Sequence, residues 1–254
     1  MIEGINICKS FGEKKILTGV DLTLKKGKVN MIIGKSGTGK SVLLKSLVGL
    51  HDVDTGKVLY DDRDYTGMNL KEKTVIRQEI GMLFQSGALF DSLNVEENVM
   101  FPLRMFKEMS IEEMKERVNF CLNRVNIENS NQLYPSEISG GMKKRVAIAR
   151  AIALNPKYLF CDEPNSGLDP QTSILIDNLI KDITEEFQIT TVVISHDMNS
   201  VLEIADRIFF VHNGVVWWKG SKEDILTTDN KEVVEFVYPS NFMKNLRSAR
   251  LKGG

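Results

Sequence analysis

The octapeptide GKSGTGKS sets Gly34, Gly37 and Gly39 around Lys35, Ser36 and Thr38 and closes on Lys40 and Ser41, the pattern G-x-x-x-x-G-K-[ST]. Glycines at that spacing let backbone N–H groups turn toward phosphate oxygens, Lys40 reaches the outer phosphates, and the Ser41 hydroxyl coordinates magnesium. A second group follows far downstream in YLFCDE, an apolar run ending on Asp162 and Glu163. One carboxylate there is presented to magnesium and the next can orient and polarise an attacking water, as phosphoryl transfer to water requires. His196 directly follows the apolar TTVVIS. That position is the carboxyl end of a strand, the edge where ligands bind in open α/β sheets, and it suits contact with a terminal phosphate.

These residues need elements to hold them. VNMII, residues 29–33, reads as a buried strand, and residues 39–50 supply Val42, Leu43, Leu44, Leu47 and Val48 as a helix leaving the glycine-rich turn. Tyr158 to Cys161 and residues 190–195 read as further buried strands, separated by a helix carrying Ile174, Leu175, Leu179, Ile180 and Ile183. Strands alternating with helices imply right-handed crossovers and a mostly parallel sheet. Before them, Ile5 and Ile7, then Leu17, Val20, Leu22 and Leu24, alternate as an antiparallel β layer does, and Asn213-Gly214 marks a hairpin within residues 207–219. Between 85 and 135 the pattern turns helical. Ser110 and Glu113 form a capping box ahead of Ile111, Met114, Val118, Cys121, Leu122 and Val125, and a second helix over about 141–154 stops at Asn155-Pro156. The expected fold is α/β, with a phosphate-loop core sheet, an N-terminal antiparallel β subdomain and an inserted α-helical subdomain over about residues 86–155. The main unit spans 1–228 and residues 229–254 form a C-terminal extension.

The 254 residues are 42% hydrophobic and 26% charged with a formal net charge of -1, ordinary for a globular protein and against a wholesale nucleic-acid binder. Cys8, Cys121 and Cys161 show neither disulfide framework nor zinc spacing. The N-terminus lacks the apolar core of a secretory signal, and no run approaches the ~20 apolar residues that span a bilayer, so a membrane role is expected to come through a partner.

These motifs, with SEISGGMKKRVAIARAIA at residues 136–153, resemble the ATPase subunits of ABC transporters over about residues 1–225. ISGGM, Ile138 to Met142, is similar to the family's LSGGQ signature. Ser139, Gly140 and Gly141 opening a helix make an anion site on physical grounds, and the resemblance implies that they and Met142 face the γ-phosphate of ATP held by a second copy of the ATPase. It further implies that Gln85 contacts magnesium and the hydrolytic water, that Asp169 in SGLDP crosses the dimer interface, and that Phe11 stacks on adenine. ATP and Mg2+ are the ligands it implies. Phe11, Ile138, Met142 and Asn165 depart from the commoner residues, and none of these departures removes a phosphate or magnesium ligand.

The stretch FQSGALFDSLNVEENVMFPLR, residues 84–104, fits no single helical or strand period. In the family that region receives a coupling helix of an integral membrane permease, so residues 85–104, with Phe90, Leu93, Phe101 and Leu103, are the expected dock, at the cytoplasmic face of the inner membrane. Its wording and the signature ending in Met142 resemble the MlaF/Mkl-type ATPases that work with MCE-type lipid-binding proteins in phospholipid transport. Two alternatives stand: an ABC ATPase for an amino acid or organic solvent, and a soluble ABC mechanoenzyme. The tail, residues 238–254, carries Lys244, Arg247, Arg250 and Lys252 with no acid, and an intermolecular contact is expected of it.

Overall fold

In a computed structural model the chain is described at residues 1–240 and 247. β1 (Ile2–Phe11) pairs antiparallel with β2 (Lys14–Leu24), and its other edge pairs antiparallel with β4 (Thr55–Tyr60) after β3 (Lys28–Ile33) and α1 (Lys40–Leu47) have intervened. The two-residue β5 (Arg63–Asp64) completes this four-stranded layer. Alternation buries Ile2, Ile7, Leu17, Val20, Leu22 and Leu24. Ile5 does not join them. Asn6 takes a left-handed backbone at φ 48° where the register shifts between Gly4 and Ile7, so the extra residue turns Ile5 outward.

Next come α2 (Leu70–Gln78), β6 (Ile80–Leu83), α3 (Val95–Phe106), α4 (Ile111–Arg124), α5 (Gly140–Ile152), β7 (Tyr158–Asp162), α6 (Pro170–Glu186) and β8 (Thr190–Ile194). The described chain then runs through α7 (Met198–Ile204), β9 (Arg207–His212), β10 (Val215–Gly220), α8 (Lys222–Thr227) and α9 (Lys231–Val237). The second sheet has the order β10-β9-β3-β8-β7-β6, parallel throughout except for the β9–β10 hairpin. At that hairpin Asn213 and Gly214 both have positive φ, 49° and 77°, as a two-residue turn between twisted strands requires.

Apolar runs explain why the sheet lies inside the molecule. β3, β7 and β8 are buried on both faces: Met31, Leu159 and Val193 join one cluster with α3, α4, α5 and α6, while Ile32, Phe160 and Val192 join another with α1 and the antiparallel layer. The helices of residues 95–152 therefore share their core with one face of the sheet. Asn94 and Ser110 start α3 and α4 with complete capping boxes.

Two expectations need correction, the end of the first helix and the place of Leu103. The first helix ends at Leu47, with Gly49 at φ 71° just beyond it, where an added Cβ would meet the Tyr65 hydroxyl at 2.2 Å. On α6, Ile174 and Leu175 are exposed, because its buried stripe runs through Ser173, Ile176, Asp177, Ile180 and Ile183. In the stretch 84–104 the helical period of α3 turns Leu103 inward to 2% exposure, so it is not part of a dock, whereas Phe90 (42%) and Phe101 (37%) stay exposed with ring centroids 4.7 Å apart. Met105 and Phe106 extend this apolar surface. The expected contact of tail residues 238–254 lies outside the described residues, apart from Tyr238 through Ser240 and Arg247. Within them, the Tyr238 hydroxyl donates to the Leu226 carbonyl at 3.4 Å and Arg247 to the Thr228 carbonyl at 2.7 Å.

Gly81 in β6 shows how tightly the sheet is set against α5. A Cβ there would stand 2.4 Å from the Ala151 carbonyl oxygen. Gly81→Ala is expected to cost about 1–3 kcal/mol through overpacking, read as a lower urea midpoint at unchanged slope.

Candidate functional site

The carboxyl ends of four parallel strands deliver the site. β3 runs into the 34–41 loop, β6 into Gln85, β7 into Asp162 and Glu163, and β8 into Ser195 and His196. The loop must be glycine where it leaves β3. Gly34 has φ 149° and a Cβ on it would lie 2.4 Å from the Val211 carbonyl oxygen of β9. Gly39, at φ 103°, turns the chain into α1. Thr38 Oγ1 donates to the Lys35 carbonyl at 2.9 Å, while Lys35, Ser36, Gly37 and Ser41 are exposed.

Lys40 is 8% exposed, and its Nζ donates to the carbonyls of Gly34 at 2.8 Å and Lys35 at 3.0 Å, so the ammonium is clasped by its own loop. Burial lowers its pKa, against the pull of Glu163 and Asp162. Asp162 shows the converse: burial raises its carboxyl pKa, Glu163 beside it adds to the rise, and Lys45 and Lys40 oppose it. Glu163 takes a left-handed backbone at φ 49°, an uncommon choice for a non-glycine residue, and its N–H donates to the Ile194 carbonyl at 3.0 Å. That turn brings its Oε2 to 2.8 Å from His196 Nδ1, with the imidazole largely exposed and the carboxylate mostly covered. Gln85 is exposed and donates from Nε2 to Ser166 Oγ at 3.1 Å, and Ser166 in turn donates its N–H to the Glu163 carbonyl at 3.2 Å.

Lys40, Asp162, Glu163, His196 and Gln85 are thus gathered at one edge. Among the described residues, Phe11, Ser139, Gly140, Gly141, Met142 and Asp169 make no hydrogen bond or ion pair with them. Ser139 caps α5 by accepting from the Met142 N–H at 3.2 Å, Gly140 and Ser139 are exposed, and a Cβ on Gly141 would stand 2.8 Å from Thr172 on α6. Among the described residues no hydrogen bond or ion pair joins residues 139–142 to the 34–41 loop. Asp169 caps α6 through the Thr172 N–H at 3.0 Å. The exposed ring of Phe11 packs edge-on against His51, centroids 5.2 Å apart, with the Lys9 ammonium 5.5 Å from its centre.

Two concavities open here. One of about 420 Å3 lies between the 34–41 loop and the start of β2, lined by Lys14, Lys15, Lys35 and His212. The other, about 530 Å3, runs from Glu163 and His196 past Ser166 and Ile174 to Asp177 and Glu203. Its floor was not legible in the sequence. Asn165 donates from Nδ2 to Asp177 Oδ1 at 2.8 Å and to Ser200 Oγ at 3.0 Å, while its own Oδ1 is buried with no hydrogen-bond partner among the described residues. Asp177 is 4% exposed, and burial raises its pKa. An acid within the buried stripe of α6 was the available signal.

A family model described as ABC transporter matches residues 17–166. The chain is 38% identical to the methionine import ATP-binding protein MetN of Campylobacter jejuni over 96% of its own length and 77% of that protein. It is 38% identical to the intermembrane phospholipid transport system ATP-binding protein MlaF of Haemophilus influenzae over 93% of this chain and 90% of that one. The probable ribonucleotide transport ATP-binding protein mkl of Mycobacterium tuberculosis is also 38% identical, over 93% of this chain and 66% of the relative. Among solved structures, a dimeric post-hydrolysis state of the ATP-binding cassette MJ0796 bound to ADP and Pi superposes with a TM-score of 0.80 at 34% identity, covering 87% of this chain and 99% of that one. CbiO1 of Clostridium perfringens gives 0.83 at 28% identity, covering 98% of each.

The raised Asp162 pKa has a consequence for stability. An acid whose folded pKa exceeds its ordinary 3.8 binds its proton more tightly in the folded state, so its contribution is present below that value and lost as pH rises through the folded pKa. Asp162→Asn is therefore expected to raise the melting temperature of the ligand-free chain at pH 7, with the gain vanishing at acid pH. Melting curves across pH check it.

Proposed function

The chain belongs to the ABC transporter family and is an ATP-binding ATPase subunit, and from that premise we propose that it powers a membrane-embedded permease, with phospholipid of the cell envelope as cargo. In this reading the triphosphate lies on the 34–41 loop. Backbone N–H groups at Gly37 and Gly39 and the start of α1 meet its oxygens, Lys40 turns from its own carbonyls to the outer phosphates, and Phe11 stacks on adenine. Glu163 accepts the proton of the attacking water. His196 Nδ1 fixes that carboxylate, and the exposed imidazole is available to the terminal phosphate. The observation that carries the reading is the 2.8 Å Glu163–His196 contact at the strand edge that also holds the buried Lys40.

Magnesium suits the donors present. It keeps several waters and phosphate oxygens and takes one or two protein oxygens. The exposed Ser41 hydroxyl, the Asp162 carboxylate, which burial leaves short of positive charge, and the amide oxygen of Gln85 are hard donors of that kind. Among the described residues no group of three or more His, Cys, Asp or Glu could hold a metal. Bound by Ser41, Asp162 and Gln85, magnesium would neutralise charge on the outer phosphates.

A second copy completes the site in this reading. Ser139 and Gly140 stand exposed at the start of a 13-residue helix, away from their own phosphate loop, and would face the γ-phosphate of the partner, with Asp169 at the same interface. The relative MJ0796, described as a dimer bound to ADP and Pi, supports this. Residues 1–228 form the hydrolytic unit and 86–155 its helical insertion, which leaves and rejoins the sheet between β6 and β7. Residues 229–254 extend it, with Val233 and Val237 docked.

No described helix is long and apolar enough to cross a membrane. The permease is met at the Phe90–Phe101 surface with Leu93 beside it. Relatives named for methionine, phospholipid and ribonucleotide transport share the same 38% identity, so identity does not choose the cargo. The wording of residues 84–104 and the Met142 ending of the signature favour phospholipid and an MCE-type protein in the complex. The equal likeness to MetN keeps amino-acid transport as the second reading.

Two outcomes test this. Lys40→Ala should lose ATP binding, whereas Glu163→Gln should retain nucleotide in a closed dimer and lower kcat by about 10²–10⁴. Nucleotide retention, light scattering and phosphate release measure these, and hydrolysis by Glu163→Gln at the wild-type rate would sink the assignment. Phe90→Asp should weaken permease binding by about 2 kcal/mol or more, seen as lost co-purification with fluorescent ATP-analogue binding intact. Phospholipid in the co-purified wild-type complex supports the cargo, and a complex that carries free amino acid and no lipid supports the second reading.

A further inference from the structure

The loop between β6 and α3 is held by two cations of α5, one buried and one half-buried. Lys144 is 5% exposed and its ammonium donates to the Gln85 backbone carbonyl. Six residues on, the Arg150 guanidinium forks onto the next carbonyls, Nη2 to Gly87 and Nη1 to Ala88, both at 2.9 Å. Between them Ala147 faces Gly87, where an added Cβ would touch its Cβ at 3.7 Å. Residues 144, 147 and 150 thus lie along one side of the helix, and the loop lies along that side.

The loop's own backbone is not a relaxed one. Gly87 and Ala88 are both left-handed, φ 76° and 47°, and the second is uncommon for a residue with a Cβ. Neither cation forms an ion pair among the described residues. Burial lowers the pKa of each, with Cys161 and Glu163 opposing the shift at Lys144. A buried cation without a counter-ion is tolerated only while polar groups solvate it, and here the three carbonyls serve. Moving the loop off α5 would strand the buried Lys144 charge and remove both carbonyls that the Arg150 fork meets, so loop and helix are bound to one arrangement.

Each end of the loop leads somewhere. At one end the Gln85 side chain reaches Ser166, whose N–H is bonded to the Glu163 carbonyl. At the other, the Arg150 guanidinium lies 5.7 Å from the centre of the Phe90 ring, and that ring packs on Phe101 at the exposed apolar surface.

We propose that Lys144 and Arg150 are positioning residues for hydrolysis: by clamping the carbonyls of Gln85, Gly87 and Ala88 to α5 they fix the Gln85 side chain at the site and tie it to the Phe90–Phe101 surface. The proposal rests on the reading of Glu163 and Gln85 given above. It assigns neither cation a contact with nucleotide. Loss of the clamp therefore changes turnover and leaves nucleotide affinity alone.

The test uses the full-length chain with Lys144→Met, which keeps an apolar stem and removes the ammonium, Lys144→Arg, which restores a cation, and Arg150→Lys, which keeps charge and removes the fork. Steady-state hydrolysis gives kcat and KM, and amide hydrogen exchange follows residues 85–90. Lys144→Met should lower kcat by about tenfold to a hundredfold with KM for ATP within about threefold, and speed exchange in residues 85–90 selectively. Lys144→Arg should recover most of the rate. Should Lys144→Met fail to fold by thermal melting, Arg150→Lys carries the test with the same split. Wild-type kcat in both folded variants overturns the proposal, as does a joint change of kcat and KM with faster exchange throughout α5 and β7, which is general loss of packing. Wild-type hydrolysis by Glu163→Gln would instead bring down the underlying site. If Glu163→Gln is inactive while Lys144→Met and Arg150→Lys hydrolyse normally, only the clamp is wrong.

Discussion

Lys40 is a cation almost sealed from water, solvated by two carbonyls of its own loop and drawn by two carboxylates at the end of β7, the next strand but one in the sheet. Such a charge is costly unless its surroundings are fixed, and most of the site can be understood as what fixes them. Gly34 allows the loop to press against Val211 of β9, Gly39 allows the chain to turn into α1, and the buried parallel strands β3, β7 and β8 hold the carboxylates in register with the loop. Asp162 is the mirror of Lys40: an anion that burial penalises, beside a second anion, and eased by lysines. A polyanion carrying a divalent cation offers both groups what they lack. Under the proposed function, Mg·ATP would offset the burial that weighs on both charges.

How much of this could be read from residues alone depends on how local the signal was. The 34–41 loop, the strands at 29–33, 158–161 and 190–195, the capping box at Ser110 and the Asn213-Gly214 turn are each set by neighbours in sequence, and each is where the reading placed it. Residues 51–83 gave no element, yet they hold β4, β5, α2 and β6. β4 and β5 belong to an edge of the antiparallel layer and α2 buries only Ile76, so neither period is strong. The bulge at Asn6 that expels Ile5, and the inward turn of Leu103 beside the exposed Phe101, depend on register and helix phase that composition does not set.

The candidate site divides the same way. Glu163 and His196 stand 33 residues apart and meet because β7 and β8 are neighbours, which the alternation of strands and helices made foreseeable. The Asn165–Asp177–Ser200 network and the hold of Lys144 and Arg150 on residues 85–88 were not foreseeable. Both are partly buried polar contacts between segments apart in sequence, and a charge withdrawn from water looks in sequence like any solvated charge. In the readings proposed above, α5 has two tasks, an exposed anion site at its N-terminus and a grip on the loop that joins the sheet to the Phe90–Phe101 surface.

The claim that this strand edge is built for a magnesium-bound triphosphate is tested most directly by the crystal structure of the chain with Mg2+ and a non-hydrolysable ATP analogue. The account predicts the triphosphate on residues 34–41, the Lys40 ammonium released from the Gly34 and Lys35 carbonyls onto the outer phosphates, magnesium on Ser41 and Asp162, and Ser139 of a second copy at the γ-phosphate. Nucleotide bound elsewhere, or Lys40 still clasped by its own loop with the analogue in place, would contradict it.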